Sequence, residues 1–219
     1  MDFTKFVSLL DRQALFFARY DKFADPFEGS YPKSSLLENP EFFLAFYKHY
    51  TAWRELVILN CWHVNEYESA AMWELYLHGS LGVAIQSTVE YLKESFECDP
   101  ENVTSIGNVT YIDYETEKVP LGNSFYPFMF KRKDYEHERE LRAIIVKQFP
   151  VSPDHKMIIP KEFFELGGEY IPVRLDTLIQ RVLVVPTAPR WFKDLIESVT
   201  KRYGFDVEVV FPNWPNLVL

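Results

Sequence analysis

Cysteine and glycine are both scarce in this sequence, and each shortage argues against a class of site. The 219 residues contain two cysteines, Cys61 and Cys98, which form no CxxC pair and match no metal-ligand spacing. The five histidines are scattered, so a multi-histidine metal site has no support. With eight glycines and no GxGxxG, Walker, GxSxG or HExxH motif, a glycine-rich phosphate-binding loop is not expected.

Positive charge and long apolar runs are also in short supply. The formal net charge of −9 argues against broad binding to a nucleic-acid backbone. The only tight basic cluster, Lys131-Arg132-Lys133, is expected to be a solvated surface turn. No apolar run approaches the ~20 residues that span a bilayer, so no membrane partner is expected. Without a signal-like amino terminus, the expected location is the reducing cytoplasm.

The pattern of helices and strands predicts the fold class. A chain of 219 residues suits one domain over residues 1–219, with the 148–160 loop as the best candidate for a boundary. We predict an α+β fold, with a mixed or antiparallel split β-sheet flanked by several helices. Periodicity and turn residues predict helices from Phe3, from Asn39-Pro40, after Asn65 (with Glu68 completing a capping box), at 88–97 and at 188–203. They predict strands at 14–18, 56–63, 81–87, 109–114, 141–147, 170–174, 181–185 and 206–211.

Two segments carry polar and aromatic side chains that suggest a site. In Asp25-Pro26-Phe27-Glu28-Gly29, two carboxylates flank a rigid turn. Asp25 is expected to accept hydrogen bonds from backbone amides of its own turn, and Glu28 is expected to lie closer to a cleft. On the helix after Asn65, Trp73 and Tyr76 share a face because they are three residues apart. Such a face is either core or a wall of a binding cleft.

The third segment is the charged run Glu136 to Arg142. If a strand begins here, alternation places Glu136, Glu138, Glu140 and Arg142 on one face, with successive carboxylates about 6.5–7 Å apart. Like charges at that distance repel and tend to raise one pKa. The alternative is a charged helical surface, but the apolar residues that follow favour the strand.

Together, and in this order, these segments resemble the microbial domain of unknown function family numbered twenty-nine seventy-one. The resemblance covers nearly the whole chain and rests on Asp25-Pro26-Phe27-Glu28, Trp73 to Tyr76 with Gly82-Val83, Val109 to Ile112, Glu138 to Arg142, and Val185-Pro186. Members of that family often begin with a short strand before the first helix. This sequence opens at Met1-Asp2-Phe3, so that strand is expected to be missing.

The leading hypothesis, by analogy of pattern, is an ADP-ribosyltransferase-like enzyme that uses NAD as its substrate. Breaking the nicotinamide–ribose bond builds positive charge on the ribose, which a carboxylate stabilises. In this interpretation Glu140 stabilises the charge and Glu138 faces the acceptor, a protein or a nucleic acid. The residues expected to bind the nucleotide are Trp73, Tyr76, Glu28, Asp25 and Arg142.

Two other hypotheses stay open. One is a nuclease or phosphodiesterase in which Asp25, Glu28, Glu138 and Glu140 hold Mg²⁺, since that ion prefers carboxylate oxygens. The other is a non-catalytic interaction protein, such as a regulatory partner in a bacterial phage-defence or toxin system, in which the acidic run is an exposed charged face.

Overall fold

A computed structural model describes residues 1–37, 40–41, 47, 50–51, 53–98, 104–154 and 157–212. Helices in this part of the chain include α1 (Phe3–Arg12), α2 (Lys33–Leu36), α3 (Ala70–Leu77), α4 (Val89–Ser95), α5 (Lys161–Leu166), α6 (Leu175–Leu178) and α7 (Arg190–Arg202). The strands are β1 (Ala14–Arg19), β2 (Val57–His63), β3 (Val83–Gln86), β4 (Ser105–Asn108), β5 (Thr110–Ile112), β6 (Phe130–Arg132), β7 (Glu140–Val146), β8 (Gly168–Pro172), β9 (Arg181–Val184) and β10 (Glu208–Val210). Short 3-10 helices span Tyr20–Lys22, Phe96–Cys98, Tyr126–Phe128 and Lys133–Glu138.

The fold is α+β, as the sequence predicts, and its strands are divided among separate sheets. A five-stranded sheet has the order β4-β7-β2-β1-β8, in which β1 with β2, β2 with β7, and β4 with β7 pair antiparallel. A mixed three-stranded sheet has the order β10-β9-β3, and β5 pairs with β6 in parallel. None of the helices in the described ranges is long and apolar enough to cross a membrane.

The chain divides into two compact units. The first unit comprises Met1–Leu15, Asn65–Pro100 and Tyr170–Leu219, and the second comprises Phe16–Val64 and Glu101–Glu169. Two of these boundaries fall inside strands β1 and β8, and none falls in the 148–160 loop that we considered the best candidate. The single domain over residues 1–219 stays a prediction.

In the first unit, helix periodicity determines which residues are buried. Helix α1 buries Phe6, Leu9 and Leu10 on one face, and the side chain of Asp2 caps it by accepting a hydrogen bond from the Lys5 amide at 2.9 Å. Helix α7 buries Phe192, Ile196 and Thr200, spaced four residues apart. These two helices therefore form where the apolar pattern places them.

Two predicted helix starts have different outcomes. Asn65 was expected to cap the helix that carries Trp73, but that prediction is wrong. The cap is Ser69, whose hydroxyl accepts a hydrogen bond from the Met72 amide, and α3 begins at Ala70. The helix start predicted at Asn39-Pro40 depends on Asn39, which lies outside the described residues.

The edge of β3 receives the first two residues of the chain. Asp2 forms an antiparallel bridge with Gly82, and the amide of Val83 donates to the carbonyl of Met1 at 2.9 Å. A Cβ atom on Gly82 would lie 2.4 Å from that carbonyl oxygen, so the close approach requires glycine. The resemblance implied that a short strand before the first helix is missing, and the structure has a single β-bridge, Asp2 with Gly82, at that place.

In the second unit, the register of β2 against β7 determines which residues share a face. Val57, Leu59, Cys61 and His63 lie opposite Val146, Ile144, Arg142 and Glu140, and side chains alternate along each strand. The apolar end of this face packs with Tyr50 and Phe128 in a hydrophobic core. The other end of the same face carries Arg142 and Glu140, so these charged side chains adjoin the hydrophobic core.

Candidate functional site

Arg142 is the centre of the predicted polar site and is fully buried. Its Nη1 and Nη2 atoms donate to the two carboxylate oxygens of Glu28, each at 2.8 Å. Nη2 also donates to Oε2 of Glu140 at 2.9 Å, and Nη1 donates to the carbonyl of Phe128 at 2.7 Å. A buried guanidinium with two carboxylate partners and a carbonyl satisfies the rule that interior charges are paired.

Lys131, on β6, brings the remaining acidic residue into the same place. Its Nζ atom lies 2.6 Å from Oε2 of Glu138, 3.4 Å from Oε1 of Glu28 and 3.4 Å from Oε2 of Glu140. We call Glu28, Lys131, Glu138, Glu140 and Arg142 the charge cluster. All five residues belong to the second unit. Four of them, predicted as site residues, are therefore in one place, and Lys131 joins them.

The exposure of the cluster is graded. The side chains of Arg142, Glu28, Glu140 and Lys131 are 0%, 2%, 5% and 7% exposed. The side chain of Glu138 is 13% exposed, which makes it the member most open to solvent. Of the three carboxylates in the cluster, Glu138 is therefore the one most accessible to a ligand from solvent.

The pKa values of Glu140 and Lys131 are set by their oppositely charged neighbours. Burial alone would raise the pKa of Glu140, but Arg142 and Lys131 outweigh it and hold the pKa below the ordinary value. Burial alone would lower the pKa of Lys131, but Glu140, Glu138 and Glu28 raise it above its ordinary value. The prediction that repulsion raises a carboxylate pKa is thus wrong for Glu140, because interleaved cations dominate.

The charged run before β7 is not a strand, so the prediction that Glu136, Glu138, Glu140 and Arg142 share one strand face is wrong. Lys133–Glu138 forms a 3-10 helix, Arg139 adopts a left-handed conformation with φ 41°, and β7 begins at Glu140. Only Glu140 and Arg142 share a strand face. Glu136 is exposed, whereas Glu138 reaches the charge cluster from the end of the 3-10 helix through Lys131.

The predicted solvated turn Lys131-Arg132-Lys133 is wrong for its first residue. Lys131 is buried in the charge cluster. Lys133 is exposed and pairs with Glu117 at 2.7 Å. Arg132 pairs with Asp25 at 3.2 Å. Three adjacent cations thus have three different environments, because Lys131 and Arg132 lie on opposite faces of β6, whereas Lys133 begins the 3-10 helix that follows the strand.

Asp25 is held locally, as the turn chemistry predicts. Its Oδ1 atom accepts a hydrogen bond from the Phe27 amide at 3.1 Å, which confirms the prediction for that amide. The partner that local reasoning missed is Arg132, 107 residues away along the chain, whose Nε atom donates to Oδ2 at 3.2 Å. Asp25 is therefore a neighbour of the charge cluster, and Glu28 is a member of it.

Three residues around the cluster were not identified from the sequence. Cys61 lies opposite Arg142 in the strand register. Burial raises the pKa of its thiol, so it stays neutral. His63 lies opposite Glu140, and the hydroxyl of Tyr111 accepts a hydrogen bond from the Glu140 amide at 2.7 Å. The alternation in β2 indicates that Cys61 and His63 share a face, but not what they face.

Trp73 and Tyr76 lie in the first unit, on helix α3. Tyr76 is exposed and Trp73 is half-buried. Their contribution to the same cleft as Glu138 and Glu140 stays a prediction. A groove of about 590 Å³ in the first unit is lined by Arg12, Arg174, Tyr203 and their neighbours, and none of the predicted site residues lines it.

The four carboxylates suggested as Mg²⁺ ligands are each paired with a cation. Across the described ranges, no group of three or more histidine, cysteine, aspartate or glutamate residues is arranged to hold a metal ion. Asp25, Glu28, Glu138 and Glu140 each have an arginine or lysine partner instead. This arrangement does not favour the Mg²⁺ hypothesis.

Comparison with known protein families, curated proteins and solved structures found no match for this chain. The resemblance to the family numbered twenty-nine seventy-one stays a prediction, so the functional argument rests on the geometry of the site.

Proposed function

We propose that this protein is an NAD-consuming enzyme of the ADP-ribosyltransferase type and that the charge cluster carries its chemistry. One observation carries the proposal. The cluster contains three carboxylates and two cations joined in one network of ion pairs, and its side chains are mostly buried. When all five groups are ionised, one negative charge has no counter-charge within the cluster.

A fixed negative charge of this kind suits the cleavage of NAD. As the bond between nicotinamide and C1′ of the ribose breaks, its electron pair moves to the pyridinium nitrogen and nicotinamide leaves as a neutral molecule. The positive charge then develops on the ribose, as in glycoside cleavage. A preorganised carboxylate in surroundings that exclude water stabilises that charge more strongly than water does.

The contacts favour a different division of roles from the one expected from sequence. Oε2 of Glu140 is engaged by both Arg142 and Lys131, and its side chain is 5% exposed. Glu138 is more exposed, Lys131 engages its Oε2 atom, and no described residue forms a hydrogen bond with its Oε1 atom. We therefore assign the stabilisation of the ribosyl cation to Glu138, with Glu140 holding Lys131 and Arg142 in place.

In this proposal, two aromatic residues of the second unit provide stacking surfaces beside the cluster. The ring of Tyr135 lies 4.7 Å from Nζ of Lys131, and Tyr135 is half-buried. Phe27, which is 43% exposed, packs against Arg132 with 5.0 Å between ring centre and guanidinium carbon. Such rings provide flat apolar surfaces on which a nicotinamide or adenine ring stacks.

The test is nicotinamide release from NAD, measured by chromatography, for the wild type, Glu138→Gln and Glu136→Gln. Glutamine preserves the size of the side chain and removes its charge. We expect Glu138→Gln to lose about 10²–10³-fold in turnover, the effect of removing one preorganised electrostatic contact. Glu136→Gln is the matched control, because Glu136 is exposed and lies outside the cluster, and it should retain wild-type turnover.

The acceptor is tested in the same assay, with cell extract added and modified products identified by mass spectrometry. A wild-type protein that neither binds NAD in calorimetry nor releases nicotinamide with any extract would refute the proposal. Cleavage of DNA or RNA that requires Mg²⁺ and is lost in Glu138→Gln would instead support the nuclease hypothesis.

A further inference from the structure

We propose that His63 is a positioning residue for Glu138, acting through the main chain of the turn that joins the 3-10 helix to β7. The inference rests on the proposed function, because it assigns Glu138 the central role. Nδ1 of His63 lies 2.6 Å from the main-chain oxygen of Glu138, and the side chain of Glu138 enters the charge cluster. One short contact thus links a residue of β2 to the carboxylate at the open end of the cluster.

The turn is strained at its centre. Arg139 has φ 41° and ψ 57°, a left-handed conformation that side chains with a Cβ atom rarely adopt. This residue separates Glu138 from Glu140, so the conformation of Arg139 sets the direction in which the two carboxylates approach the cluster. A conformation of this kind persists when the surrounding structure over-determines it, and such conformations concentrate at functional sites.

The main-chain groups of the turn are held from several sides. The amide of Val64 donates to the carbonyl of Arg139 at 2.9 Å, and the amide of Arg139 donates to the carbonyl of Glu136 at 3.2 Å. The amide of Glu140 donates to the hydroxyl of Tyr111 at 2.7 Å. Among these contacts, His63 and Tyr111 are the side chains that could be replaced without altering the turn sequence itself.

The chemistry of the His63 contact determines which ring nitrogen carries the hydrogen. A carbonyl oxygen only accepts hydrogen bonds, so Nδ1 must be the donor. Nε2 is buried and has no hydrogen-bond partner among the described residues. Of the two ring nitrogens, Nδ1 is therefore the one that holds the Glu138 carbonyl, and Nε2 takes no part in holding the turn. His63 therefore serves as a fixed donor.

Loss of this donor should move Glu138 without emptying the cluster. With the carbonyl of Glu138 released, the strained turn relaxes and the carboxylate shifts relative to Lys131 and to the ribose. A misplacement of about 1 Å costs up to about 10²-fold in rate. Substrate binding relies on other surfaces, so KM for NAD should stay unchanged while kcat falls.

Three substitutions at position 63 separate the effect of the hydrogen-bond donor from the effect of side-chain size. Asparagine places its amide nitrogen at the same point along the side chain as Nδ1, so His63→Asn keeps the donor. His63→Gln places its amide nitrogen at the point of Nε2, and His63→Leu has no donor. We expect His63→Asn to retain kcat for nicotinamide release within a few-fold, whereas His63→Gln and His63→Leu should lose about 10–100-fold at constant KM.

Hydrogen exchange of the Val64 and Glu140 amides, followed by NMR, tests the inference without NAD. Exchange should accelerate in His63→Leu and remain slow in His63→Asn. If the wild type is inert toward NAD, the proposed function fails, and the exchange rates still decide whether His63 holds the turn. Equal exchange in wild type and His63→Leu, or equal loss in His63→Asn and His63→Leu, overturns the proposal.

The double variant His63→Leu/Arg139→Gly excludes a merely structural role, with Arg139→Gly alone as its control. Glycine adopts the left-handed conformation without strain, so the urea unfolding midpoint of the double variant should be higher than that of His63→Leu. Because the carbonyl of Glu138 remains unheld, kcat should stay low. Recovery of kcat together with stability would show that His63 acts only through folding and would overturn the proposal.

Discussion

Replacing Arg142 with methionine should destabilise the protein strongly, for reasons that the charge cluster makes specific. Arg142→Met gives a shorter, unbranched side chain of similar volume, so most of the effect should come from the lost charge rather than from a cavity. It removes four hydrogen bonds, three to carboxylates and one to the Phe128 carbonyl. It also leaves three carboxylates with Lys131 as their single cation.

The magnitude follows from the burial of the partners. Removing one partner of a buried ion pair strands the other charge and typically costs about 3–5 kcal/mol. The second substitution Glu28→Gln removes the carboxylate that Arg142 binds with both Nη atoms. The double variant Arg142→Met/Glu28→Gln should therefore recover about 0.5–3 kcal/mol relative to Arg142→Met alone, the range of coupling between residues in contact.

The assay is urea unfolding followed by far-UV circular dichroism at neutral pH. Lys133→Met is the matched control, because Lys133 is two residues from Lys131 but exposed, and its surface pair should be worth at most about 1 kcal/mol. A loss below about 1 kcal/mol in Arg142→Met, or a double variant no more stable than Arg142→Met, would refute the reasoning that the partners are stranded buried charges.

Three further predictions concern neighbouring groups. The pKa of Glu140 in the folded protein lies below its ordinary value of 4.5. Its contribution to stability is therefore present above pH 4.5 and is lost as the pH falls through the folded pKa. Urea midpoints measured from pH 7 downward should fall more steeply for the wild type than for Glu140→Gln. Gly29→Ala should cost about 2 kcal/mol or more, because φ is 65° and the new Cβ atom would lie 2.6 Å from Cε1 of Phe128; Ser30→Ala is the control, and equal midpoints for the two would contradict the steric argument. Asp25→Ala should lower the melting temperature, since it leaves Nε of Arg132 and the amide of Phe27 without their acceptor, at a cost of about 1–3 kcal/mol; an unchanged melting temperature with lost nicotinamide release would mean that Asp25 acts in the site itself.

Regular elements were predictable where a local pattern sufficed. Helix α7 was expected at 188–203 and spans Arg190–Arg202, and β2 was expected at 56–63 and spans Val57–His63. The errors arose where two local patterns competed. Asn65 and Ser69 both have side chains able to cap a helix, and Ser69 does so because α3 begins one turn later. Likewise, the alternating charges from Glu136 to Arg142 fit a strand, but the left-handed Arg139 interrupts it.

The candidate site was predictable as a set of residue types but not as a geometry. The sequence identified Glu28, Glu138, Glu140 and Arg142, because charged residues beside buried strands need partners or solvent. It gave no means of choosing Lys131 over Lys133 as the buried cation. That choice depends on where β6 ends: Lys131 is its central, buried residue, and Lys133 already belongs to the 3-10 helix that follows.

By itself, the sequence determined the α+β class, the amphipathic faces of α1 and α7, and the local turn at Asp25, because each depends on residues a few positions apart. The tertiary structure alone decided that Glu28 meets Arg142, 114 residues away, and that His63 reaches the Glu138 carbonyl, 75 residues away. Periodicity carries no information over such separations. Coulombic attraction and hydrogen bonding depend on distance in space, and strand register sets that distance.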